Sequence, residues 1–197
     1  MFSSADFDKA MQNGTIHIVD FDRERLNINS YDVILGNWFY LLHPDRDCKP
    51  RYFGPLWADD GAEILIPSGM TLLGMTKDRL ASYGDILGQM RSKSTGRREG
   101  VTVCDDAGFG DVGYANHWTV ELTSHVSGYG MYRTVGQRFA QILFQRTETP
   151  PYKQYSGQYN ADDWPQCMLP KAHRGKEIPW DKLGKYAPQI ALMPWVK

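Results

Sequence analysis

Between Gly88 and Glu121 the chain reads GQMRSKSTGRREGVTVCDDAGFGDVGYANHWTVE, a concentration of residue types that handle polar small molecules. Ser92 to Arg98 offers hydroxyls and cations with little apolar matter, the composition of a loop that receives phosphate or sugar oxygens. Asp105 to Gly113 holds three glycines and three aspartates, which predicts a tight turn with exposed backbone N–H groups. His117 to Leu122 then alternates bulky and polar residues as a strand does. Read with period two, Trp118, Val120 and Leu122 share one face, and His117, Thr119 and Glu121 share the other. A carboxylate in mid-strand is costly to bury unpaired, so Glu121 faces either solvent or a site.

Several chemistries are excluded by what is missing. Zinc-dependent deamination of a nucleobase needs His-x-Glu with Pro-Cys-x-x-Cys, and neither is present. A P-loop, a dinucleotide fingerprint after a strand and a nucleophile elbow are also absent. Cys48, Cys104 and Cys167 are an odd count at wide spacing, which fits a reducing compartment and no metal motif. What remains is a site with no protein-bound metal, built from a carboxylate, hydroxyls and arginine, suited to acid–base work on a phosphorylated small molecule.

The elements that must position these groups read as mainly β. Nineteen glycines, eleven prolines and 13% aromatic residues favour short strands joined by turns. A length of 197 residues suits one domain. The 22 basic and 23 acidic residues nearly cancel, so the molecule as a whole does not attract duplex nucleic acid. No run of eighteen apolar residues occurs, and a cytoplasmic protein with no membrane partner is expected. Ser3 or Ser4 can cap a short helix with Phe7, Ala10 and Met11 on one stripe, ended by Asn13-Gly14. Ile16 to Val19 reads as a strand, and Asn29 to Leu42 as two strands broken at Gly36-Asn37. His43 to Asp60 reads as a long surface connection, and Glu63 to Ile66 with Met70 to Thr76 as a hairpin about Pro67-Ser68-Gly69. Gly136 to Phe144 reads as a last buried strand. Pro150 to Tyr159 suits a lid over a ligand or a plain connector, and residues 160 to 197, with Trp164, Trp180 and Trp195, an extension packed on the domain or on a neighbouring subunit.

These residues resemble a known family. Lys93-Ser94-Thr95-Gly96-Arg97-Arg98-Glu99-Gly100 resembles the R-S-S-x-x-R-x-G motif of dCTP deaminases, and Asp111-Val112-Gly113-Tyr114 resembles the D-x-G-[WY] that follows it. Glu121 falls ten residues after Asp111, as the family's catalytic glutamate does. Asn29 to Asn37 is similar to the S-Y-D-[LV]-x-L-G-N stretch, Gly136 to Phe144 to the last core strand, and Tyr152 with Lys153 to Gln158 to the Y…K-Y-Q-G-Q tail.

The resemblance implies a distorted β-barrel of the dUTPase-like (β-clip) kind with a short N-terminal helix and a C-terminal extension. Residues 1–158 would form the nucleotide-binding domain, with a lid at about 148–158, and residues 159–197 the extension. It implies a homotrimer with sites between subunits, and Mg²⁺ carried by the nucleotide triphosphate, with no zinc. Glu121 would be the general base and proton shuttle, Ser94 and Arg98 would hold the attacking water and the glutamate, and the Ala107 carbonyl would orient that water. Lys93, Thr95, Gly96 and Arg97 would line the triphosphate loop, Asp111 would meet the deoxyribose, and Thr119 and Val120 would border the base. Tyr152, Lys153, Gln154 and Gln158 would close over the phosphates. The implied reaction is hydrolysis of dCTP to dUTP and ammonia. Arg97, Glu99 and Gly108-Phe109 depart from the family pattern and keep a modified cytosine nucleotide or direct formation of dUMP open. A dUTPase of the same fold and a non-catalytic nucleotide-binding module are the competing readings.

Overall fold

The computed structural model describes all 197 residues and contains twelve strands. They are β1 (Ile16–Ile18), β2 (Tyr31–Ile34), β3 (Trp38–Pro44), β4 (Pro50–Trp57), β5 (Glu63–Ile66), β6 (Thr71–Ser82), β7 (Ile86–Ser92), β8 (Val101–Val103), β9 (Phe109–Gly110), β10 (Ala115–Ser124), β11 (Met131–Thr134) and β12 (Arg138–Arg146). The helices are short: α1 (Ser4–Gln12), α2 (Ser94–Arg98), α3 (Leu183–Tyr186) and α4 (Pro188–Ala191), with five 3₁₀ turns besides.

The twelve-residue β6 is the spine. It pairs with β1 and β3 on one side and with β10 on the other, giving the order β4-β3-β6-β10-β8. A second sheet runs β2-β12-β7-β9, and β5 pairs with β11 alone. The inward faces meet in one core that includes Val33, Phe39, Leu41, Ile66, Leu72, Val120, Leu122 and Ile142, all fully buried. The fold is mainly β, as expected, but the hydrogen-bonded ladders do not join into one closed ring. Three sheets enclose the core.

α1 forms as its sequence predicts. Ser3 caps it in a reciprocal box with Asp6, and Phe7 and Ala10 are buried. Two expectations fail. Residues 43–60 do not form a surface connection: β3 continues to Pro44 and turns back into β4. Pro50, Gly54 and Pro55 hide the strand in the sequence. β4 tolerates them because it lies at the sheet edge and its register with β3 slips between Phe39 and Leu41. The hairpin between Glu63 and Thr76 is absent as well, since β5 pairs with β11 and β6 with β3 and β10. Chain adjacency loses here to a longer-range pairing.

Residues beyond Thr147 wrap the domain. Leu183, Ala187 and Trp195 pack into the main core, and backbone bonds join Lys197 to Glu63 and Leu65 to Trp195.

Candidate active site

β10 carries the site because its alternation is strict: Asn116, Trp118, Val120, Leu122 and Ser124 are buried, and the residues between them are half-exposed. Where β10 crosses β6 the register shifts between His117 and Thr119. The buried Thr76 hydroxyl fills the gap, accepting from the Trp118 N–H at 2.8 Å and donating to the Asp78 carbonyl at 2.8 Å. Thr119, Glu121 and Thr123 thereby line a cavity of about 600 Å³.

The turn predicted at Asp105 to Gly113 forms the cavity's rim. Cys104 initiates it with φ +51°, and the Met90 N–H donates to the Gly108 carbonyl at 2.6 Å. A Cβ at position 108 would stand 2.2 Å from the Met90 carbonyl oxygen, so the close approach of the two chains requires glycine. Asp105, Ala107 and Asp111 thus reach the cavity alongside Glu121. The Cys104 thiol sits beneath, raised well above the ordinary thiol range by burial and then by the neighbouring Glu121 carboxylate. It is a neutral neighbour for that carboxylate.

The cavity contains three carboxylates and no lysine, arginine or histidine. The cations singled out in the sequence stand elsewhere. Ser94, Thr95, Arg97 and Arg98 are exposed on α2 and do not line the Glu121 cavity, and neither does Gly96. Lys93 is engaged with buried Asp32, so its charge is directed inward. Arg133 steadies the same loop, reaching Glu99 at 3.1 Å and the Gly96 carbonyl at 3.4 Å. Within one chain, then, the carboxylate half and the hydroxyl–guanidinium half of the expected site are not brought together.

The remaining expected residues divide similarly. The Val120 side chain is fully buried in the core and leaves only its peptide group for any base contact. Lys153 and Gln154 line a neighbouring cavity of about 370 Å³ that Asp111 also borders. Tyr152 is fully exposed, and the Gln158 side chain accepts from the Lys171 N–H at 3.1 Å, tying it into the extension. Sequence reasoning missed Tyr52, Tyr155, Tyr159 and Met168 on the cavity wall. It also missed Asn116, whose signal was available: an amide two residues before Trp118, on the face that Trp118, Val120 and Leu122 bury. No three His, Cys, Asp or Glu side chains converge on a possible metal position.

An antiparallel β protein whose central strand presents a lone glutamate to an aromatic, acidic pocket has the fold of a known nucleotide deaminase. The 2′-deoxycytidine 5′-triphosphate deaminase from Agrobacterium tumefaciens aligns with a TM-score of 0.58 at 15% identity, over 74% of this chain and 48% of that one. The chain spans about half the length of that structure. The family model described as dCTP deaminase-like matches residues 1–147, and the chain belongs to that family. Relatives include a dUMP-forming dCTP deaminase of Dictyoglomus thermophilum, 25% identical across 84% of this chain and 92% of that protein. A dCTP deaminase of Natronomonas pharaonis is 25% identical over 85% of this chain and 93% of its own length.

Proposed function

We propose that the protein hydrolyses dCTP to dUTP and ammonia, with Glu121 taking the proton from water as it attacks C4. Glu121 then delivers that proton to N3 and assists the departure of ammonia. The charge of the cavity carries the reading of how the site is assembled. Three carboxylates without a cation repel a triphosphate, whereas Arg97 and Arg98 lie exposed on α2, outside that cavity. A second copy of the chain supplies Ser94 and Arg98 to Glu121, which makes the homotrimer with intersubunit sites the working assembly. Magnesium would enter as an ion carried by the phosphate oxygens of the nucleotide, which are the hard oxygen ligands it prefers.

The test combines product and subunit. Glu121→Gln should keep dCTP affinity and lower ammonia release by about 10² or more, the usual worth of a positioned acid–base group. Co-expressed Glu121→Gln and Arg98→Ala chains should regain activity in mixed assemblies, because each supplies what the other lacks. Undiminished turnover by Glu121→Gln refutes the assignment, and absence of recovery in the mixture refutes the shared site. Identification of dUTP or dUMP among the products separates the two activities named for the relatives.

A further inference from the structure

The family match ends at residue 147, yet the Glu121 cavity is closed by residues well beyond it. Tyr155, Tyr159, Met168 and Pro170 line it from the C-terminal side, and Tyr52 from β4. They are held there by a clasp on β10. Asn116, fully buried, donates from Nδ2 to the Tyr159 carbonyl at 2.9 Å and the Ala161 carbonyl at 2.7 Å. Its Oδ1 accepts from the Trp164 indole N–H at 3.0 Å. Asn160 completes the attachment, accepting from the Ala115 N–H at 3.0 Å and donating to the Gly113 carbonyl at 3.1 Å. Such a network of satisfied buried amides fixes one geometry, because each broken bond leaves a buried polar group without a partner. A mobile flap would not need it.

Resting on the reading of the site given above, we propose that residues 155–170, facing Tyr52 of β4, are a fixed wall of the pyrimidine subsite, with Tyr159 and Tyr52 as the specificity-determining residues of that subsite. Aromatic rings lining the cavity that holds Glu121 offer faces on which a pyrimidine can stack, and removing one such ring weakens base binding by about tenfold or more. Their hydroxyls add a second property. Burial, and then nearby negative groups including Glu121, raises both phenols above the ordinary tyrosine range. Both therefore stay protonated at neutral pH and can donate to a ring carbonyl oxygen.

The experiment measures binding of dCTP and of inorganic tripolyphosphate, each with Mg²⁺, to the full chain and to Tyr159→Ala by calorimetry. Affinity for dCTP should fall tenfold or more while that for tripolyphosphate stays within twofold, since only the base end is altered. An unchanged dCTP affinity, a gain in affinity, or equal losses for both ligands overturns the proposal. Tyr159→Leu, which keeps apolar bulk but removes the ring face, carries the same test if the alanine variant fails to fold: a loss of threefold or more for dCTP alone supports the wall, and a smaller one overturns it. Ammonia release from dCTP by the parent protein is read separately, so a failure of the proposed reaction is not confused with a failure of the wall.

Discussion

Thr76→Val removes one hydroxyl from the point where β6 and β10 lose register, and the structure sets the size of the effect. Thr76 is fully buried and its Oγ1 both accepts from the Trp118 N–H and donates to the Asp78 carbonyl. Valine fills the same volume, so no cavity term enters, but the Trp118 N–H is left buried without an acceptor. That costs about 1–3 kcal/mol. For a chain of this size each kcal/mol lowers the melting temperature by about 2–4 °C, so the expected fall is about 2–12 °C. The assay is a thermal scan with parent and variant at the same protein concentration, so that the midpoints compare like with like. Thr76→Ser, which restores donor and acceptor, should recover most of the loss. A valine variant that melts within about 1 °C of the parent would show that the hydroxyl does not stand in for the missing ladder bond.

Two other perturbations follow from the same geometry. Gly108→Ala places a methyl against the Met90 carbonyl and must displace the turn carrying Ala107; deamination should fall by about tenfold or more, since misplacing a site group by about 1 Å can cost about 10²-fold, as read by steady-state kinetics below the melting point. His117 is lowered below the usual imidazole range, chiefly by burial, so its neutral form is favoured in the folded state. The stability this contributes is complete above the unfolded value of about 6.5 and is lost as pH falls through the folded value. Melting temperature should decline less steeply between pH 7 and 5 in His117→Asn than in the parent, and parallel profiles would reject the linkage.

Much of the site was legible because period two is a local property. The alternation from His117 to Leu122 assigns Glu121 to the open face of β10, and the Ser3 cap and the stripe of α1 are equally local. Where partners are distant, the sequence was silent. Pro50 and Pro55 look like breakers until β4 is known to be an edge strand. Glu63 to Ile66 looks like half of a hairpin until its partner proves to be Met131 to Thr134. The aromatic wall was illegible for the same reason: Tyr52 and Tyr159 lie far apart in the chain and meet only after β10 and the extension have docked. The separation of Arg98 from the Glu121 cavity depends on the folded surface, which no motif spacing encodes.

β5 is gripped from both flanks by late-arriving stretches, Met131–Thr134 on one side and Trp195 with Lys197 on the other. Closing loops of that span is entropically slower than zipping the β3–β4 pair, whose strand ends are separated only by the turn between Pro44 and Pro50. Refolding from denaturant should therefore show amide protection of Leu41, which faces Phe53 of β4, well ahead of Glu63 and Leu65. The interval between the two is a window in which the apolar Ile64 to Ile66 run stands uncovered and prone to intermolecular pairing.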